Sequence, residues 1–144
     1  FLSDAADIPR PDDVLDGAVM EGARALMEDK GKGLREIRRA LRPGGKRLLS
    51  DLCLRRAVGG GKGTTSCIAG AETLPALRGL LEEAGFAILC SLDETKRLGE
   101  LAAKMIFKYG STDEFFRQWG LGECPCRDER KNLGYVVFIA EKMV

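Results

Sequence analysis

The sequence predicts an α/β fold in which helices and buried strands alternate along the chain. The first observation is Leu34–Leu54, where an amphipathic helix is followed by a Pro-Gly-Gly turn and a short apolar run. The second is a repeat of that order in Leu74–Leu92, with Gly85 between helix and strand. The third is Tyr135–Ala140, the strongest strand pattern in the chain. Such alternation predicts βαβ units and a layered sheet.

Composition limits the class of protein. The length of 144 residues and the 44% hydrophobic content predict one domain, residues 1–144, with a substantial core. The 23 basic and 22 acidic residues give no reason to expect a nucleic acid or a membrane as partner. The chain has no histidine, which excludes a serine–histidine triad and a histidine-ligated zinc site. No apolar run approaches the roughly 20 residues of a membrane span, and we expect a cytoplasmic protein.

The first half of the chain contains three strand candidates and one amphipathic helix. Phe1–Asp7 has the pattern of a strand's last residues running into a loop, so we expect further sequence before it. Val14–Met20 is the next strand candidate. The helix that begins near Leu34 is expected to end at Pro43, because proline cannot continue the helical hydrogen bonds. The run Leu48–Leu52 then predicts a strand buried on both faces of a parallel sheet.

The second half has clearer helix boundaries. Thr73 is positioned to cap a helix that Gly85 ends. An amphipathic helix begins at Thr95 and is closed by Gly110. Ser111 then has a glutamate three residues later, which is a capping box for one more short helix.

Several segments allow two interpretations. Arg55–Thr65 is rich in glycine and cations, which predicts a flexible lid or linker. The alternative is a phosphate cradle, although the spacing of the known phosphate-loop motif is not met. Phe115, Phe116 and Trp119 form either a hydrophobic helix face or a substrate cage. Cys53 and Cys90 are flanked by leucines, and core packing is the simpler interpretation for both.

Three motifs resemble one family. Asp4–Pro9 is similar to its D-A-x-x-L-P segment, Leu34–Asp51 to L-R-E-x-x-R-x-L-x-P-G-G-x-x-x-x-S-D, and Leu80–Phe86 to L-L-x-E-A-G-F. With strand candidates at Leu15–Gly22 and Gly134–Lys142, this order resembles the C-terminal half of the class I S-adenosylmethionine-dependent methyltransferases. The resemblance implies a Rossmann-like sheet that is incomplete in this chain and whose last strand is antiparallel.

The resemblance also implies a partial site for S-adenosylmethionine, because the family's glycine-rich first loop has no counterpart in the sequence. Asp4 would accept a hydrogen bond from the adenine amino group, and the backbone of Ala5 would donate one, with Ile8 in the same motif. Glu21 and Gly22 would border the methionine end of the cofactor. From the residues alone, Asp4 is also a good turn former, and Glu21 is also explained as a solvated strand end.

A finer resemblance concerns the methyl acceptor. Cys67-Ile68-Ala69-Gly70-Ala71 resembles the C-x-x-G-A segment of arsenite-methyltransferase-like members, whose cysteine binds trivalent arsenic. Thiolates are suited to such a soft centre, and Cys124 and Cys126 would complete the ligand set. Packing explains Cys67 equally well.

Two functions follow from this pattern. The first is methyl transfer from S-adenosylmethionine to a small acceptor, which the resemblance extends to thiol-bound arsenic(III). The alternative is a catalytically inactive remnant that acts as an interaction or soft-metalloid-binding module. Because Val14–Met20 would be an unpaired sheet edge, we also expect association through it, either as a homo-oligomer or with a fragment that carries the missing strands.

Overall fold

The structure is a computed structural model that describes residues 3–57, 70–120 and 130–144. Strands and helices alternate along these residues, with short 3₁₀ turns at Arg24–Leu26 and Arg130–Asn132. The elements are β1 (Leu15–Glu21), α1 (Lys30–Ala40), β2 (Leu41–Leu54), α2 (Leu74–Glu83), β3 (Phe86–Asp93), α3 (Thr95–Tyr109), α4 (Thr112–Gln118) and β4 (Leu133–Lys142).

The strands form one sheet in the order β1-β2-β4-β3. β1 and β2 run parallel, and β4 lies antiparallel between β2 and β3. This confirms the predicted α/β sheet and its antiparallel last strand. The prediction of a parallel sheet around Leu48–Leu52 holds on one side only, because β2 has a parallel neighbour in β1 and an antiparallel neighbour in β4.

The junction between α1 and β2 also differs from the prediction. The helix ends before Leu41, whose backbone is already extended (φ −70°, ψ 137°) two residues ahead of Pro43. The Pro-Gly-Gly segment therefore lies inside β2, at a shift in its register against β1. Gly44 has a φ of 75° there, which glycine adopts without steric cost. Leu41 leaves the helix early because its fully buried side chain joins the core of the sheet.

One face of the sheet is buried against α1 and α2. The predicted apolar stripe of α1 is confirmed, since Leu34 and Ile37 are both buried. α2 contributes Leu77 and Leu81 to the same core. The buried apolar side chains of the strands and their ends include Leu41, Leu49, Cys53, Phe86, Val136, Phe138 and Ala140.

The opposite face of the sheet is apolar but only partly covered. Buried and half-buried residues alternate strictly along β4, and the half-buried set includes Val137 and Ile139. Ile139 pairs with Leu48, which pairs in turn with Val19 of β1. Val19 is 72% exposed, and β1 is an edge strand of the sheet that the described residues form. The edge position was predicted from sequence, whereas association through it stays a prediction.

The predicted caps of α2 and α4 and the predicted ends of α2 and α3 are confirmed. The hydroxyls of Thr73 and Ser111 accept hydrogen bonds from backbone N–H groups three residues later, which caps α2 and α4. Gly85 and Gly110 follow α2 and α3 with φ values of 83° and 86°. Only glycine adopts this conformation readily, so each ends its helix as expected.

The aromatic side chains after α3 pack on one another. The rings of Tyr109 and Phe115 meet edge to face at 5.2 Å, and those of Phe115 and Trp119 lie 5.9 Å apart. Trp119 remains 66% exposed, and α3 has no buried residue. These contacts fit a hydrophobic face and a substrate cage alike, so both interpretations stay predictions.

Arg39 of α1 fastens the loop that precedes β1. Its guanidinium donates to the carbonyl of Ile8 at 3.0 Å and to the carboxylate of Asp12 at 2.5 Å. It also donates to Glu36, and this hydrogen bond holds the pKa of the Glu36 carboxyl below its ordinary value. Glu36 in turn accepts from the backbone N–H of Ile8 at 3.1 Å. The loop that follows Asp4 is thereby fixed against α1.

Candidate functional site

A cleft lies where β1 ends and the chain turns into α1. It has a volume of about 490 Å³. Its lining residues come from the N-terminal turn and from the segment after β1: Asp4, Ala5, Ala6, Ala23, Met27, Glu28, Asp29 and Lys32. Open α/β sheets bind their ligands at the carboxyl ends of parallel strands, and this cleft lies at that edge.

Asp4 forms a tight turn at the cleft. Its Oδ1 accepts from the N–H of Ala6 at 2.8 Å, and its carbonyl accepts from Asp7 at 3.0 Å. The turn interpretation of Asp4 is therefore supported. The second carboxylate oxygen, Oδ2, has no hydrogen-bond partner among residues 3–57, 70–120 and 130–144, and it remains able to accept from a ligand.

The other wall of the cleft is held by backbone hydrogen bonds to β2. Gly22 adopts a φ of 58° and donates to the carbonyl of Ser50 at 2.8 Å. The N–H of Ala25 donates to Oδ2 of Asp51 at 3.1 Å. At the start of α1, Asp29 caps the helix by accepting from Lys32 at 2.7 Å. The wall that includes Ala23 and Met27 is thus tied to the carboxyl end of β2.

A buried group of charges lies behind this wall, and the sequence analysis missed it. Arg24 is 1% exposed, its Nη1 donates to Glu72 at 2.7 Å, and its Nε lies 3.7 Å from Asp51. Asp51 is itself 2% exposed and also accepts from the N–H of Leu52 at 2.8 Å. A buried carboxylate and guanidinium stabilise each other only as a pair, so Asp51 and Arg24 depend on one another.

Arg47 is a second buried cation, on the same face of β2. Its side chain is fully buried, and Nε and Nη1 have no hydrogen-bond partner in the described part of the chain. Nη2 lies 3.4 Å from the sulfur of Met20, and the guanidinium carbon lies 5.5 Å from the ring centre of Phe86. Burial, and then the charge of Arg24, lower the pKa of Arg47 to about 10.

The segment before α2 packs against the same wall. Lys30 donates to the carbonyl of Gly70 at 2.6 Å. A Cβ on Gly70 would lie 2.1 Å from the carbonyl oxygen of Ala25, so this close approach requires glycine. Gly70 is the glycine of the C-x-x-G-A segment, and its position has a packing explanation.

A smaller cavity of about 210 Å³ adjoins the end of β2. Cys53 lies on its wall, is 6% exposed and has a free thiol, which confirms the core interpretation. Burial, followed by the charges of Asp93 and Asp51, raises the pKa of this thiol. Cys90 is only half-buried, on the opposite face of the sheet, so it is not a full core residue.

Residues 1–49 match a family model described as a methyltransferase domain. The sheet is a Rossmann-like methyltransferase sheet. No curated protein matches the sequence significantly.

Three solved structures illustrate the likeness. The 4+2 cyclase SpnF is 27% identical with a TM-score of 0.71; the match covers 99% of this chain and 54% of SpnF. Phosphoethanolamine N-methyltransferase 2 of Haemonchus contortus, in complex with S-adenosyl-L-methionine, is 20% identical with a TM-score of 0.69, over 98% and 36%. An arsenic(III) S-adenosylmethionine methyltransferase of Chlamydomonas reinhardtii is 17% identical with a TM-score of 0.55, over 94% and 40%.

The chain therefore spans about half the length of SpnF and less than half the length of the other two proteins. Because the solved structures that share this fold include a cyclase, the fold by itself does not assign a reaction to this chain.

The residues predicted for the cofactor are only partly brought together. Asp4 and Ala5 line the cleft at the carboxyl end of β1. Ile8 instead packs toward the core, and its backbone N–H donates to Glu36. Glu21 and Gly22 are exposed at the end of β1 and do not line that cleft.

The predicted substrate residues Cys67, Cys124 and Cys126 lie outside the residues that the structure describes. Within the described ranges, no group of three or more histidine, cysteine or acidic side chains is placed to hold a metal ion. No helix of those ranges is long and apolar enough to cross a bilayer.

Proposed function

We propose that this chain is the C-terminal portion of an S-adenosylmethionine-dependent methyltransferase and carries part of its cofactor site. The observation that supports this most directly is the cleft at the end of β1, which is lined by Asp4 and Ala5, two residues of the segment that resembles the family's D-A-x-x-L-P motif. Its volume of about 490 Å³ lies within the range of small-molecule sites.

The lining of the cleft fits such a ligand. Ala5, Ala23 and Met27 offer an apolar wall, while Asp4, Glu28 and Asp29 outnumber the single cation Lys32. An apolar surface suits an adenine ring, and an acidic one suits a ligand with cationic groups. The free oxygen of Asp4 accepts from the adenine amino group in this proposal, and the N–H of Ala5 donates to the ring.

When bound, the cofactor supplies a methyl group on a positively charged sulfur. Transfer of that group is an in-line displacement by the acceptor, so the protein contributes mainly position. Glu21 and Gly22 are proposed to border the reacting end from the end of β1. In this proposal residues 1–144 supply only part of the cofactor site, because the family's glycine-rich first loop has no counterpart in them.

Binding of S-adenosylhomocysteine to this chain tests the proposal by calorimetry. Asp4→Asn keeps an oxygen for the turn with Ala6 but places an amino group at the Oδ2 position, where it cannot accept from adenine. We expect the variant to bind about 5- to 30-fold more weakly, the equivalent of one lost hydrogen bond of roughly 1–2 kcal/mol. Asp16→Asn, an exposed carboxylate on β1, is the matched control.

Equal affinity of wild type and Asp4→Asn would contradict the assigned role of Asp4. Absence of measurable binding heat with the wild-type chain would instead favour the alternative, an inactive interaction module. In that module the edge strand β1 pairs with a second copy of the chain. Sedimentation of a strictly monomeric, folded chain at high concentration would argue against that module.

A narrower proposal is that the acceptor is thiol-bound arsenic(III), held by Cys67 with Cys124 and Cys126. It rests on the C-x-x-G-A resemblance, and the structural likeness to the Chlamydomonas reinhardtii protein concerns the fold. Trivalent arsenic is expected to raise the melting temperature of wild type, because a ligand of the folded state stabilises it. Cys67→Ser should abolish that shift and Cys90→Ser should keep it; a shift retained in Cys67→Ser removes Cys67 from the site.

A further inference from the structure

A basic cleft lies at the carboxyl edge of the sheet, apart from the cleft at Asp4. β2 ends at Leu54, which pairs with Leu133 at the start of β4. The residues just beyond these two strand ends enclose a volume of about 460 Å³. Its lining residues are Arg55, Arg56, Lys131 and Asn132.

Backbone hydrogen bonds organise this cleft. The N–H of Arg55 donates to the carbonyl of Asn132 at 2.8 Å. The N–H of Arg56 donates to Oδ1 of Asn132 at 2.9 Å, and Nδ2 of Asn132 donates back to the carbonyl of Arg56 at 2.9 Å. Three hydrogen bonds thus join two segments that are 76 residues apart in sequence. Strand pairing and these hydrogen bonds therefore hold Arg55 and Arg56 close to Lys131.

The three cations of this cleft are exposed and carry no ion pair within the described ranges of the chain. Other arginines of the surface differ, since Arg42 for example pairs with Asp16 at 2.8 Å. Asp93 lines the adjoining cavity together with Arg55, and its carboxylate accepts from the N–H of Thr95 at 2.9 Å. Hydrogen bonds from Thr95, and then the charge of Arg55, lower the pKa of Asp93, so this carboxylate offsets part of the Arg55 charge and leaves those of Arg56 and Lys131. Three like charges around one concave surface, none of them in an ion pair with a described residue, create a positive potential that attracts anions.

We propose that this cleft binds the phosphate group of a small-molecule substrate. Guanidinium groups present paired N–H donors that match the oxygen geometry of phosphate, and two of the three cations here are arginines. The cleft lies at the carboxyl end of β2, the edge where α/β sheets place ligands. Its assignment to a substrate rests on the proposed function, whereas anion binding itself does not.

Titration of the chain with inorganic phosphate at constant ionic strength, followed by NMR, tests this inference. Saturable shifts are expected at the backbone amide of Arg56 and the side-chain amide of Asn132. Arg56→Gln with Lys131→Gln should weaken binding about tenfold or more, because each lost cation removes a charge-assisted contact. Lys96→Gln with Lys104→Gln, which removes two exposed cations from α3, should leave binding unchanged.

Acetate is the second ligand in the same experiment. Weaker binding of acetate than of phosphate is expected, and equal binding would overturn the assignment to phosphate. Absence of saturable shifts in wild type, or the same loss in both double variants, would overturn the site. S-adenosylhomocysteine binding is measured in a separate titration. Absence of that binding alone would contradict the proposed function, whereas absence of phosphate binding alone would contradict this inference.

Discussion

Asp51→Ala is expected to lower the free energy of unfolding by about 3–5 kcal/mol. Removal of the carboxylate leaves Arg24, which is 1% exposed, as a buried cation whose remaining partner is Glu72. The variant also leaves the N–H of Ala25 without its acceptor. Breaking a buried pair costs more than the pair contributed, because the remaining charge stays desolvated.

Urea denaturation measures this loss. Asp16→Ala is the matched control, since Asp16 pairs with Arg42 at the surface and exposed ion pairs are worth roughly 0–1 kcal/mol. Asp51→Asn keeps an acceptor but removes the charge, and it should fall between the two. A loss from Asp51→Ala no larger than that of the control would contradict the role of the buried group.

The same variant should also affect the cleft at Asp4. Asp51 holds Ala25, and the neighbouring residues Ala23 and Met27 form the wall of that cleft. Asp51→Ala is therefore expected to weaken binding of S-adenosylhomocysteine in protein that is still folded.

Arg47→Met is expected to change stability in the opposite direction, with a gain of about 1–4 kcal/mol in the free energy of unfolding. The guanidinium of Arg47 is fully buried, and two of its nitrogens lack a hydrogen bond to any described residue. Its contact with the ring of Phe86 offsets only part of the desolvation. Methionine is a shorter, flexible and unbranched side chain that fills irregular space and brings no charge into the core.

The control for this prediction is Lys46→Met, at the preceding residue. Lys46 is exposed and pairs with Glu141 across the strands, so its replacement should change stability by less than about 1 kcal/mol. Thermal and urea unfolding provide the comparison. A destabilised Arg47→Met variant would show that the guanidinium has a favourable partner in solution.

The sequence anticipated the helix ends well, because each depends on a few neighbouring residues. The hydroxyl caps at Thr73 and Ser111 and the positive φ of Gly85 and Gly110 are local features. The junction at Pro43 was less predictable. There the burial of Leu41 in the sheet, a tertiary effect, ends the helix before proline would.

Of the candidate site, the sequence located only the Asp4–Ala5 turn. Arg24, Asp51 and Arg47 carry no local signal that they are buried, because a charge in an apolar run is equally compatible with exposure. Asn132 is an ordinary polar residue until the pairing of β2 with β4 places it against Arg56.

The amino-acid sequence by itself therefore determined the order of helices and strands, the ends of α2 and α3 and the α/β class, since periodicity and capping act within a few residues. Only the tertiary structure decided which charges are buried and which cations share a cleft. Those contacts join distant residues: Ala25 and Asp51 are 26 positions apart, and Asp13 and Lys142 are 129 apart. Sheet pairing brings such residues together, and no local pattern records which partners will meet.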